Sequence, residues 1–116
     1  MNTILIKELL YQDYFLDIAS DAFIKLQNQE EAAIYCQFLN YGGYTDWRLP
    51  KAMEIAEINS FLTRYGMGNV GYWIESSLYN SISESYVIPV RNVVQEMKQR
   101  EKNDDSISTE YYLRRR

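Results

Sequence analysis

The chain contains no histidine and a single cysteine, Cys36. Without histidine it lacks the commonest general base near neutral pH and the commonest metal-ligating side chain. A Ser–His–Asp triad cannot be assembled, and neither a G-x-S-x-G elbow nor a P-loop occurs. One cysteine excludes an internal disulfide and a cysteine-built zinc site. Prolines number two and glycines five, so each is informative where it falls. No apolar run approaches membrane-spanning length. The first ten residues include Lys7 and Glu8, too short and polar a stretch for a secretory signal, and no N-x-S/T acceptor exists. These absences predict a non-enzymatic protein, cytoplasmic or assembled into a larger particle, with no metal, no cofactor and no membrane segment.

Tyrosine is the excess: eleven in 116 residues. It offers a large, stiff apolar face with a polar tip, which suits a binding surface and equally a small fold with half-buried strands. Acidic groups outnumber basic ones, 16 to 12. Residues 1–95 hold six basic and eleven acidic groups, whereas residues 96–116 hold six and five. An acidic body argues against a broad nucleic-acid surface, despite the terminal Arg114-Arg115-Arg116. The length is that of one domain. We place it at 1–95, with 96–116 as a charged tail that is disordered or ordered only on a partner.

Residues 3–10 read as a strand or a short helix. Tyr14 to Ala19 reads as a strand, with Phe23 to Leu26 as its short partner across a Ser20-Asp21 turn. Asn28 with Glu31 three residues on forms a capping-box pattern for a helix over 29–39. Ala32, Cys36 and Leu39 share one face of it, with Tyr35 and Phe38 alongside, so Cys36 is expected to be a buried apolar residue. The helix stops near Asn40-Tyr41-Gly42-Gly43, where asparagine or glycine can take the left-handed terminal conformation. Pro50 starts a second helix, with Met53, Ile55, Ala56, Ile58 and Leu62 as its apolar stripe and an end near Thr63 or Arg64. Gly66, Gly68 and Gly71 match G-x-G-x-x-G, but a helix precedes them and the strand-like Tyr72 to Ser77 follows, the reverse of a dinucleotide site. Tyr86 to Arg91 is strand-like, with Pro89 marking an edge or bulge. Val93 to Gln99 suits a short helix. The order implies an α+β fold, two helices packed on a small antiparallel sheet, with Leu16 and Val87 on neighbouring strands.

The densest stretch is Gly42-Gly43-Tyr44-Thr45-Asp46-Trp47-Arg48-Leu49-Pro50. Asp46 is placed to pair with Arg48 or to accept backbone N–H groups in a turn, and Glu54 to serve the helix start. Arg48 and Arg91 have apolar neighbours, a setting in which a guanidinium usually forms a scaffold ion pair. Trp47 and Trp73 read as anchors of the core. Two carboxylates could in principle flank a glycosidic bond, but Asp46 and Glu54 show no spacing that selects this. The candidate binding residues are Tyr41, Tyr44, Tyr65, Tyr72 and Tyr79 in the loop-rich middle, with Tyr111 and Tyr112 in the tail.

The runs Gly43 to Pro50 with Glu54-Ile55, Tyr72-Trp73-Ile74-Glu75-Ser76-Ser77 and Pro89-Val90-Arg91, in that order, resemble the signature of the Legionella collagen-like protein C-terminal domain family. The likeness spans roughly residues 12–93 and includes Glu31 to Cys36. It implies a C-type-lectin-like fold in which Asp46, Trp47, Arg48, Leu49, Pro50, Glu54, Trp73 and Arg91 are scaffold. Members occur in bacterial surface proteins and phage genomes, some as adhesive modules. This chain carries Lys51 where the family favours Thr or Ser, has a short segment from Leu62 to Tyr72, and lacks the Glu-Pro-Asn and Gln-Pro-Asp signatures of calcium-dependent lectins. The expectation is a module that binds a protein partner or itself, with glycan binding through the tyrosines as the alternative.

Overall fold

The computed structural model describes residues 1–8, 10–76 and 84–94. Strand β1 (Asn2–Ile6) pairs antiparallel with β2 (Tyr14–Ile18), and β2 pairs on its other side with β5 (Val90–Asn92). A second, two-stranded sheet joins β3 (Ile24–Leu26) to β4 (Ser85–Val87). Helix α1 (Gln29–Phe38) lies against the second sheet. Helix α2 (Ile55–Arg64), entered through a 3-10 turn at Ala52–Glu54, lies against the first. This is an α+β fold with two helices packed on a small, open antiparallel sheet. No helix among the described residues is long and apolar enough to cross a membrane.

Period-two patterning builds the main sheet. Ile4, Ile6, Leu16, Ile18 and Val90 point to one face and meet Ile58, Phe61 and Leu62 of α2. A second core gathers Ala32 and Cys36 of α1 with Trp47, Leu49, Trp73 and Val87. Burial pushes the Cys36 thiol up to about 12, the environment of an inert structural thiol.

Several local expectations need correction. Strand β3 is not the hairpin partner of β2. Both pair with the C-terminal stretch, which leaves the second sheet and enters the first at Ile88-Pro89. Two residues there oppose five, Ala19 to Phe23: the Ser20-Asp21 turn is present, closed by the Ala22 N–H on Ala19 O at 2.9 Å, but it bulges out between the two sheets instead of joining a hairpin. Leu16 therefore lies beside Asn92, while Val87 lies beside Ile24. Tyr72 makes one parallel bridge to Tyr86 and no described strand follows it. Gly42 and Gly43, both at positive φ, do not cap α1. They form the two-residue turn of a tight Tyr41–Tyr44 hairpin closed by reciprocal N–H···O bonds of 3.1 Å.

Gly66 terminates α2. It takes the left-handed conformation while its own N–H bonds Thr63 and that of Met67 bonds Leu62. The glycine triplet thus ends a helix rather than cradling a phosphate. α2 begins after Glu54 rather than at Pro50, and Met53 and Ala56 lie outside its buried stripe, with Phe61 inside it. Phe38 turns to solvent instead of flanking the core. Asn28 Oδ1 accepts from the N–H of Glu31, as its sequence position implied. Val93 and Val94 are not helical; the rest of the expected terminal helix and the tail from 96 lie outside the described residues.

Leu16, fully buried at the centre of the first core, sets a test. Leu16→Ala should lower unfolding free energy by about 2–5 kcal/mol in urea titrations. Phe38→Ala, at a site 79 % exposed, should stay within about 0.5 kcal/mol of wild type.

Candidate functional site

Residues 46–50 run beside β5 as an added strand segment. Arg48 and Val90 exchange backbone N–H···O bonds of 2.8 and 2.9 Å. Extended backbone alternates side chains. Trp47 and Leu49 enter the second core, while Asp46 and Arg48 each meet a charged partner. The Trp47 indole N–H donates to the carbonyls of Tyr44 (3.0 Å) and Tyr41 (3.3 Å), which locks the glycine hairpin to the run. Trp73 donates to Leu26 O at 2.9 Å and ties its own loop to β3.

The ion pairing differs from the expected Asp46–Arg48 contact. Arg48 makes a two-pronged pair with Glu54, Nη2 to Oε2 at 2.9 Å and Nη1 to Oε1 at 3.1 Å. Glu54 reaches back from the following 3-10 turn and offers one oxygen to each prong of the fork. Glu54 is fully buried. It also accepts from the backbone N–H of Lys51 (2.9 Å) and the hydroxyl of Tyr14 (2.5 Å). Arg48 completes its shell on Asn92 Oδ1 at 2.7 Å and Leu49 O at 3.1 Å.

Asp46 instead meets Arg91, whose Nε donates to Oδ1 at 2.6 Å. The same guanidinium donates from Nη1 to Asp17 Oδ2 at 2.8 Å, and Thr3 Oγ1 donates to Asp17 Oδ1 at 2.6 Å. Thr3, Asp17 and Arg91 are cross-strand neighbours on the sheet face opposite the α2 core. Tyr44 covers the Arg91 guanidinium at 3.6 Å, a cation–π contact.

Desolvation pushes the Glu54 carboxyl up, but Arg48, the Lys51 N–H and Tyr14 outweigh it and hold it below the usual range. Asp46 is lowered, mainly by its bond to Arg91. Tyr14 is raised by burial and by Glu54. Neither carboxylate is poised as a raised-pKa acid.

The tyrosines divide. Tyr41 stands edge-on to Trp47 and its hydroxyl donates to Asp21. Tyr65 stacks on Phe61 at 5.2 Å between ring centroids and points its hydroxyl at Ser20 O. Tyr41, Tyr44 and Tyr65 thus gather around the hairpin and the Ser20-Asp21 bulge. Tyr72 lies apart, bonded to Asn59 of α2 at 2.7 Å, and burial pushes its phenol up to about 12. Tyr79, Tyr111 and Tyr112 lie outside the described residues. Beside the run lies a cleft of about 310 Å³ between Gln29, Ala33 and Gln37 of α1 and the side chains of Thr45, Arg48 and Glu75. Sequence reasoning passed over Asp17 and Asn92 as partners of the arginines and Tyr14 as a partner of Glu54; their place on adjacent strands is the signal that finds them. No group of acidic or cysteine ligands among the described residues is placed to hold a metal.

Two consequences are measurable. Depressed carboxyl pKa values contribute stability that is present above the unfolded values, about 3.9 for Asp and 4.3 for Glu, and lost as pH falls through the folded ones. The raised Tyr14 contributes below about pH 10 and loses its contribution as pH rises further. Unfolding free energy should therefore decline on acidification below about pH 5, and Glu54→Gln should flatten that decline. Arg48→Ala, which strands a buried carboxylate, should cost about 3–5 kcal/mol by chemical denaturation.

No family model matches the chain, and no curated protein or solved structure is detectably similar to it. Function has to be read from the side chains themselves.

Proposed function

We propose that this chain is a non-enzymatic interaction module that acts by contact with another protein, on the C-type-lectin-like scaffold of the Legionella collagen-like family. The observation that carries this reading is a contrast. Asp46, Arg48, Glu54 and Arg91 are all consumed in holding elements together, while large apolar side chains lie open elsewhere. Ile34 and Phe38 sit one turn apart on α1, 47 and 79 % exposed, on the side away from Ala32 and Cys36. An uncovered apolar strip on a helix is the kind of surface that partners bury. The acidic balance of residues 1–95 favours protein over nucleic acid. Support for the scaffold comes from the ordered signature runs and from the pairing of the early strand β2 with the late strand β5 in one sheet. A cytoplasmic or virion setting belongs to the same reading.

Glycan binding is the second reading. Tyr44 and Tyr65 keep exposed ring surface beside one another's loops, as a sugar-stacking face would need.

Phe38→Asp and Ile34→Asp separate these readings. Both should leave the unfolding midpoint unchanged and abolish capture of a mass-spectrometrically identified partner from the native host, or abolish a self-associated mass in light scattering. Binding on a glycan array that Tyr44→Ala removes and Phe38→Asp spares would overturn the protein-contact reading. So would a turnover activity lost in a fully folded Asp46→Asn variant.

A further inference from the structure

Strand β1 is an edge, and its register shows what it offers. The N–H of Val93 bonds Phe15 O and that of Ala19 bonds Pro89 O, both at 3.0 Å. Odd-numbered residues of β2 therefore direct their backbone groups to β5, and even-numbered ones direct theirs to β1. Since Ile4 faces Leu16 and Ile6 faces Tyr14, the even residues of β1 complete that ladder. Thr3 and Leu5 then turn their N–H and C=O groups away from the sheet. Lys7 continues the pattern: its N–H reaches outward to Glu57 Oε2 at 3.4 Å. No described residue bonds the outward groups of Thr3 or Leu5.

The outward edge opens into a groove of about 480 Å³ between β1 and α2. Ala56 and Ser60, one helical turn apart, are small enough to leave it unfilled. Glu57 lies at the Lys7 end, with Oε1 buried and without a hydrogen-bond partner among the described residues. A buried carboxylate oxygen without a donor is costly, and a cation relieves that cost best. Arg64 lines the other end of the groove, seven residues on, about 10 Å along the helix.

We propose that this groove takes an extended segment of a partner protein as an added strand on β1, with a lysine or arginine of that segment bound to Glu57. The proposal rests on the interaction-module reading but uses a surface separate from Ile34 and Phe38. Backbone hydrogen bonds from Thr3 and Leu5 supply affinity, and the unpaired carboxylate supplies selectivity for a basic side chain. Five residues of strand, about 17 Å, match a segment of five or six residues.

The test uses the full chain, isotopically labelled, with two blocked hexapeptides, Thr-Val-Arg-Val-Thr-Val and the same peptide with Glu in place of Arg. The arginine peptide should shift the Thr3 and Leu5 amide signals and slow their hydrogen exchange. It should bind about tenfold more tightly than the glutamate peptide, the size of one charge-assisted hydrogen bond. Glu57→Gln should erase that preference. Leu5→Pro removes an outward N–H without touching the ladder to β2 and should abolish binding; should that variant not fold, Glu57→Gln still decides. Unmoved Thr3 and Leu5 signals, or equal binding of the two peptides, would overturn the proposal. Protected Thr3 and Leu5 amides with a doubled mass and no peptide would also overturn it, assigning the edge to a second copy. Partner capture that depends on Phe38 while β1 stays silent would leave the interaction module standing and remove only this groove.

Discussion

The pair between Arg48 and Glu54 is the contact on which the rest of the structure hangs. Arg48 belongs to the segment zipped onto β5, Glu54 to the turn that launches α2, and Tyr14 and Asn92, which complete the cluster, to β2 and β5. One buried carboxylate thus connects the sheet, the segment 46–50 and the second helix. Such a group is tolerated only because three kinds of donor surround it: a guanidinium fork, a backbone N–H and a phenol. Removing any of them exposes the desolvation that the others offset. The pair therefore specifies how elements meet more than it adds net stability.

Arg91 plays the corresponding part on the opposite face of the same sheet. It joins Asp17 of β2 to Asp46 of the run and carries Tyr44 as a lid. The two arginines flank the sheet, and between them Trp47 and Leu49 fill the second core. A stretch that packs this much charge beside two aromatics has the composition of an active loop. Its geometry is that of a clamp, because each ionic group already has an ionic partner. Open surface lies elsewhere, on the outer side of α1, around the glycine hairpin and along the edge of β1.

Much of the fold was legible in the sequence. The Asn28 cap, the strand from Tyr14, the break at Pro89, the burial of Cys36 and the anchoring role of both tryptophans each follow from a local rule. What was not legible involved choices between equally good local partners. Phe23 to Leu26 had the pattern of a hairpin strand, yet its partner is β4, since the five residues from Ala19 to Phe23 bulge and carry it into another sheet. Phe38 had helical spacing that fitted the core, yet Ala32 and Cys36 fill that face and leave it outside. Of the candidate site, the tyrosines were visible by type; that three gather near one bulge while Tyr72 stands on α2 was not.

By itself the sequence determined the helix cap at Asn28, the strand from Tyr14 and the need of Arg48 and Arg91 for carboxylates, because capping, strand propensity and the chemistry of a guanidinium among apolar neighbours act over a few residues. Only the tertiary structure decided which carboxylate each arginine found. Asp46 is two residues from Arg48 but bonds Arg91, 45 positions away. The partners lie on opposite faces of the sheet: Arg48, bridged to Val90, meets Glu54 and Asn92 on one, and Asp46 meets Arg91 beside Asp17 on the other. The pleat of β1 likewise turns the backbone of Thr3 and Leu5 away from β2, a direction no residue type encodes and only the register of neighbouring strands sets.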